Sequence, residues 1–180
     1  MSNAHSFAHK HFNGQVYTFD HLKPLSLAIP VKTPDHPTIP LHVQFGCHCF
    51  TEGFDDAIHT EHHRYTHQDE LRAFDVQRYQ LSLALPTVIE QMIVGRVYRA
   101  DRSYTYLARI ALPPAGGQQP YSVFFSLEKD KYRGAPALSL YVKSAYSRGL
   151  AAPVNGQSWR FVALAGETAG LFTTGKSKKR

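Results

Sequence analysis

The feature that most constrains the fold is a change of hydrophobic period at Gly95. Before it, apolar residues recur every three to four positions, with Val76, Tyr79 and Leu83 in one row and Leu81, Leu85, Val88, Ile89 and Met92 in another. That spacing is one face of a helix, here spanning 71–95, with Asp75 as N-cap, Gly95 as the stop and a kink or break at Pro86. After it, apolar residues alternate, as they do on a half-buried strand. Two strands are expected over 96–99 and 104–112. Tyr121, Val123, Phe125 and Leu127 mark a third, Leu138, Leu140, Val142, Ser144 and Tyr146 a fourth, and Trp159, Phe161 and Ala163 a fifth. Short connections and one-sided alternation predict an α+β fold. One main helix, kinked near Pro86, packs on a mostly antiparallel sheet of four to five strands.

N-terminal strands are added to that sheet. The Asn13-Gly14 turn signal precedes a strand over 15–19, and a second follows over 26–31. Pro34, Pro37 and Pro40 make a loop, because proline removes ladder donors. Residues 41–51 then alternate cleanly. Leu41, Val43, Phe45, Cys47 and Cys49 face the core; His42, Gln44, Gly46, His48 and Phe50 face away, unless a bulge at Gly46 re-aims His48. The stretch 52–70 is polar and histidine-laden and reads as a surface loop. The organisation expected is a loose N-terminus over 1–11, a single domain over 12–165 and a basic flexible tail over 166–180.

Charge is divided unevenly. Residues 1–71 hold four Lys/Arg, eight Asp/Glu and all 11 histidines, a balance of −4; residues 72–180 hold sixteen Lys/Arg and six Asp/Glu, a balance of +10. Lys176, Lys178, Lys179 and Arg180 crowd the last five positions. A positive field of this kind attracts polyanions, and nucleic acid is the commonest. The alternative is a solubilising tail on a mildly basic domain. No apolar run approaches the roughly 18 residues of a membrane span, so no membrane partner is expected. Cys47 and Cys49, two apart on a strand, read as free thiols, which points to a reducing, cytoplasmic setting.

Three constellations could carry chemistry. If helical, His59, His63 and His67 would share one face, and with Cys47 and Cys49 they could hold a zinc ion; a solvated loop is the favoured alternative. Arg78 and Ser82 stack on one helix face near Arg72, where Arg78 is either a phosphate fork or an ion-pair partner of Asp75. In the fourth strand, Ser144 and Tyr146 interrupt the apolar face of Leu140 and Val142, as a polar pocket or as a hydrogen-bonded core serine. P-loop, G-x-G-x-x-G, G-x-S-x-G and H-E-x-x-H motifs are absent.

Several elements resemble a bacterial family sometimes labelled stationary-phase growth adaptation proteins. They are Gly14-x-x-Tyr17-x-x-x-His21-Leu22-x-Pro24, His48-Cys49-Phe50-Thr51, Arg72-x-Phe74-x-x-x-Arg78-Tyr79-x-x-Ser82, Tyr121-x-Val123-x-Phe125 and Leu140-Tyr141-Val142-x-Ser144-Ala145-Tyr146. The resemblance runs over about 12–148, and its label names no chemistry. In architecture the chain is similar to the small metal-independent ribonucleases of toxin systems. That analogy makes His48 the acid or base, has Arg78 and Lys143 hold the phosphate, and has Ser144 and Tyr146 position it. Arg72, Arg148 and the tail cations would bind nucleic acid, and an antitoxin-like protein partner fits the same reading. No resident cofactor is implied. Three readings therefore stand: an RNA-directed protein of ribonuclease type, a non-catalytic nucleic-acid-binding or regulatory module, and a metal-binding protein using the Cys47/Cys49 and His59–His67 groups.

Overall fold

The computed structural model describes residues 6–100, 103–111, 118–147 and 157–172, the side chains of 108–111 and 118–119 excepted. A hairpin of β1 (Lys10–Phe12) and β2 (Gln15–Tyr17) turns at Asn13-Gly14, whose φ angles of 49° and 76° suit a tight hairpin turn. Next come β3 (Leu25–Ile29) and β4 (Ile39–His48). A small three-stranded sheet follows from β5 (Thr51–Gly53), β6 (Arg64–His67) and β7 (Glu70–Phe74), in the order β5-β7-β6. Helices α1 (Val76–Ser82) and α2 (Leu85–Val94) lead into β8 (Arg96–Ala100), β9 (Ser103–Ala111), β10 (Gln118–Tyr132) and β11 (Ala135–Tyr146). The described chain closes with β12 (Ser158–Arg160) and α3 (Phe161–Ala169).

The expectation of one main helix on an antiparallel sheet of four to five strands is overturned. Among the described residues there are three α-helices and a seven-stranded mixed sheet, ordered β12-β8-β9-β10-β11-β4-β3. The run β8 to β11 is the antiparallel meander that the alternation implied. But β4 lies parallel to β11, between it and β3, so the N-terminal strands extend the main sheet through a parallel junction. Alternation reports which face of a strand is buried and is silent on its partner.

Two helix boundaries also differ from expectation. Residues 70–74 belong to β7, not to the helix, and bury Ala73 and Phe74. The supposed fifth strand ends at Arg160, and Phe161, Leu164, Ala165 and Ala169 then bury one face of α3 at helical spacing. This helix continues through Gly166, where a tail was expected. Pro86 does break the main helix: it opens α2, where its missing N–H would have been unpaired anyway. Asp75 caps α1 by accepting from the Arg78 N–H at 2.9 Å.

One face of the large sheet is core. Leu41, Val43 and Phe45 of β4, Tyr121, Val123 and Phe125 of β10, and Leu138, Leu140 and Val142 of β11 are buried with Leu85, Val88, Ile89 and Met92 of α2. Each such side chain contributes about 1.5–3 kcal/mol when fully buried. An aromatic annex fixes the small sheet and α1 beside this core. Phe19 meets Phe50 at 4.0 Å between ring centroids, and Phe7, within the stretch read as loose, meets Phe50 edge-on at 4.9 Å. No helix among the described residues is long and apolar enough to cross a membrane.

Candidate functional site

The site begins with an irregularity in β11. Against β10, Phe125 pairs with Val142 but Phe124 pairs with Ser144, so Lys143 is an extra residue. Against β4, the same two-position step from Val142 to Ser144 is matched by a three-position step, from Phe45 to His48. Such a bulge reverses alternation downstream. Leu138, Leu140 and Val142 face the core, and after Lys143 the buried position falls on Ala145. Ser144 and Tyr146 therefore turn to the open face with Phe124, which stacks on Tyr146 at 5.3 Å. This corrects the placing of Ser144 and Tyr146 on the face of Leu140 and Val142.

His48, at the end of β4, pairs with Ser144 of β11 just past the point where the register of the two strands shifts. Its Nε2 lies 2.9 and 3.0 Å from the two carboxylate oxygens of Glu70. Glu70 is presented by the β6–β7 hairpin, whose two loop residues Gln68 and Asp69 both have positive φ. Arg72, two residues along on the same side of β7, reaches back to Glu70 Oε1 at 3.3 Å. It also donates through Nε to the Thr51 hydroxyl at 3.2 Å. That hydroxyl in turn donates to the Cys47 carbonyl at 2.7 Å. Fully buried Thr51 thus links the strand bearing Cys47 and His48 to the arginine that steadies Glu70.

These groups open onto a cleft of about 430 Å³ lined by Cys47, His48, His67, Gln68, Glu70, Tyr141 and Lys143. The floor requires Gly46: a Cβ there would stand 2.6 Å from the Tyr141 hydroxyl and 3.1 Å from the Lys143 carbonyl. The hydrogen bond from His48, with the charges of His48 and Arg72, holds the Glu70 carboxyl below the usual carboxylate range. Burial, with Cys47, Cys49 and Glu70 nearby, raises the Tyr141 phenol, so it keeps its proton. Burial first, then Glu70, pushes up the Cys47 thiol. The buried Cys49 thiol is raised further by burial and by Cys47. Neither cysteine is therefore an activated thiolate nucleophile, since nucleophilic cysteines have lowered values.

The five residues expected to act together are divided between two clefts. His48 and Lys143 line the one just described. Arg78 and Tyr146 line another, of about 280 Å³, with Glu52, Asp75, Gln77, Leu81 and Ser147. Arg78 acts there as a clamp. It donates to the Thr51 carbonyl at 2.8 Å and the His48 carbonyl at 3.4 Å, approaches Asp75 at 3.9 Å, and lies over the Tyr146 ring at 4.9 Å. Ser144 sits on the strand between the two clefts. Arg72 points inward to Thr51 and Glu70 rather than offering a free fork to a phosphate. Arg148, Lys176, Lys178, Lys179 and Arg180 lie outside the described residues.

The candidate metal ligands Cys47, Cys49, His59, His63 and His67, for which a solvated loop was the favoured reading, are not gathered on one helix face. Residues 59–67 form no α-helix, only a 3-10 turn at Glu61–His63 followed by β6. His59 accepts the Asp55 N–H at Nδ1 and pairs with Glu52 through Nε2 at 3.0 Å. His63 accepts from Thr60 at Nδ1, and His67 packs against Phe7. Among the described residues, the cluster with ligand-type donors in reach of one another is instead Cys47, His48 and Glu70, all within 4.8 Å. Sequence reading missed Glu70, which looked like one more acid in a polar loop.

A sequence profile of the YjaZ family matches residues 8–169. The chain belongs to the YjaZ family. The matched span runs through the end of α3, contains every residue of the His48–Glu70 cleft, and leaves the cations at 176–180 outside it. Neither a curated protein nor a solved structure matches the chain.

Proposed function

We propose that this YjaZ-family protein is RNA-directed, with His48 and Glu70 as the acid–base pair of a metal-independent ribonuclease. The observation that carries the reading is the two-pronged Glu70 contact to His48 Nε2, in a cleft that also holds Lys143 and Tyr141. An imidazole that donates Nε2–H to a carboxylate presents Nδ1 as its lone-pair nitrogen when neutral. That nitrogen takes the proton of a ribose 2′-hydroxyl as the 2′-oxygen attacks phosphorus. Glu70 then stabilises the imidazolium formed. The bond from phosphorus to the 5′-oxygen breaks, and Lys143 supplies the proton that the departing oxygen takes up. The protonated Tyr141 phenol donates a hydrogen bond to the charged phosphorane. Such a protein acts in the cytoplasm, where its substrate is, and a growth-state label such as stationary phase suits a protein that limits RNA.

The test is incubation of purified protein with total RNA in a chelating buffer, beside His48→Ala and Glu70→Gln. Loss of intact RNA with the wild type, and its survival with both variants, is the expected result. Equal decay in all three samples, or none in any, overturns the ribonuclease reading. In the latter case, salt-sensitive RNA binding without turnover would identify the binding-module alternative.

A further inference from the structure

We propose that Cys47, His48 and Glu70 form a binding site for one borderline divalent cation of the zinc class. Neighbouring residues on a regular strand point to opposite faces, so Cys47 and His48 would not ordinarily share an ion. Here the register of β4 against β11 breaks at this point, and both side chains line one cleft. Their donor atoms and a Glu70 oxygen lie within 4.8 Å of one another. Metal–ligand bonds of about 2.0–2.3 Å set neighbouring donors about 3.3–3.8 Å apart, so the cluster needs to adjust by about 1 Å. The adjustment falls on His48 and Glu70, whose side chains are 36% and 49% exposed, while Cys47 stays fixed in the strand.

The donor set selects the ion. A thiolate, an imidazole and a carboxylate match zinc or cobalt, whereas calcium and magnesium call for oxygen donors throughout. A four-coordinate ion held by these three donors would keep one position for water. Two supports hold the ligands in place. The Cys47 carbonyl is pinned by Thr51, and Glu70 is braced by Arg72. A bound cation replaces the hydrogen bond between His48 and Glu70, so the ion and proton transfer to RNA are exclusive uses of the same residues. The cation site itself stands independently of any turnover.

Cobalt(II) chloride is the probe, added to the purified full chain without RNA and then displaced with zinc chloride. The expected result is a near-ultraviolet thiolate-to-cobalt band that saturates at about one ion per chain and disappears in Cys47→Ser. Glu70→Gln, a surface change that leaves the core intact, is expected to weaken binding at least about tenfold. Cobalt held by other histidines gives no thiolate band and does not count. Absence of the band from the wild type, its persistence in Cys47→Ser, or unchanged affinity in Glu70→Gln overturns the site. RNA decay is not part of this readout, so either proposal can fail without the other.

Discussion

Thr51→Val tests whether the cleft is organised by hydrogen bonding through a buried hydroxyl. Thr51 is fully buried, and valine preserves its shape while removing the hydroxyl. Two bonds go. The first is the 2.7 Å bond to the Cys47 carbonyl, which still accepts the Phe50 N–H at 3.1 Å and is therefore not orphaned. Its loss costs about 1 kcal/mol. The second is the 3.2 Å bond from Arg72 Nε. Bonds to charged groups contribute about 1.5–3 kcal/mol, but the guanidinium retains the Thr51 carbonyl and Glu70 and keeps an edge near solvent, so about 1 kcal/mol is expected. Valine should thus cost about 2 kcal/mol. Thr51→Ser keeps both bonds and loses one buried methyl, about 1 kcal/mol. The order of stability is wild type, then serine, then valine, read from urea midpoints at constant m-value. A valine variant as stable as the serine variant would refute the hydroxyl's role.

Three further outcomes follow from the same geometry. Gly46→Ala should cost about 1–3 kcal/mol by driving a Cβ into the Tyr141 hydroxyl and the Lys143 carbonyl, and Tyr141→Ala in the same chain should recover part of that loss; strict additivity in urea unfolding would count against the contact. Asp75→Ala removes the α1 cap and should lower stability by about 1 kcal/mol, with unchanged stability speaking against the cap. Burial lowers the folded-state value of His21, whose Nε2 lies 2.8 Å from the Ser82 hydroxyl. The unfolded chain then takes up this proton first, so its contribution is intact above the ordinary histidine value of about 6.5 and is lost as pH falls below it. His21→Gln should flatten that part of the stability profile, and an identical slope in both proteins would contradict it.

Local rules were legible where one residue decides the outcome. Asp75 caps a helix, Pro86 opens another, Gly95 stops it, and Asn13-Gly14 turns a hairpin, each for a reason contained in that residue's own chemistry. The core faces of β4 and β10 could likewise be read from alternation. What escaped depends on partners distant in sequence. The parallel pairing of β4 with β11 joins residues about a hundred positions apart, and nothing in either strand's pattern encodes the partner. The Lys143 bulge looks like unbroken alternation through Ser144 and Tyr146, because the polar character of both residues is compatible with either face. Glu70 was hidden by its turn: Gln68 and Asp69 take positive φ without glycine, so the hairpin that aims Glu70 at His48 lacked its usual signal.

The charge asymmetry has a different meaning once the fold is known. Many of the described cations after residue 71 are dispersed onto local partners rather than gathered into one field. Arg72 and Arg78 turn in to Thr51, Arg96 reaches Ser158, Arg99 and Arg133 lie over Tyr104 and Tyr132, and the Lys129 ammonium stands beside Gly170 at the C-terminal end of α3. Exposed Glu128 and Asp130 alternate with the polar residues of β10 on the open face. A long polyanion laid across that face meets both signs, whereas a single phosphate at the His48 cleft meets Lys143. Contact with RNA is therefore local in this reading, and Lys143 contributes about one phosphate contact. Lys143→Ala should reduce the slope of log affinity against log salt by about 0.7 for single-stranded RNA, measured by fluorescence anisotropy across a salt series. An unchanged slope would remove Lys143 from the phosphate's path and, with it, the proton donor assigned to the leaving oxygen.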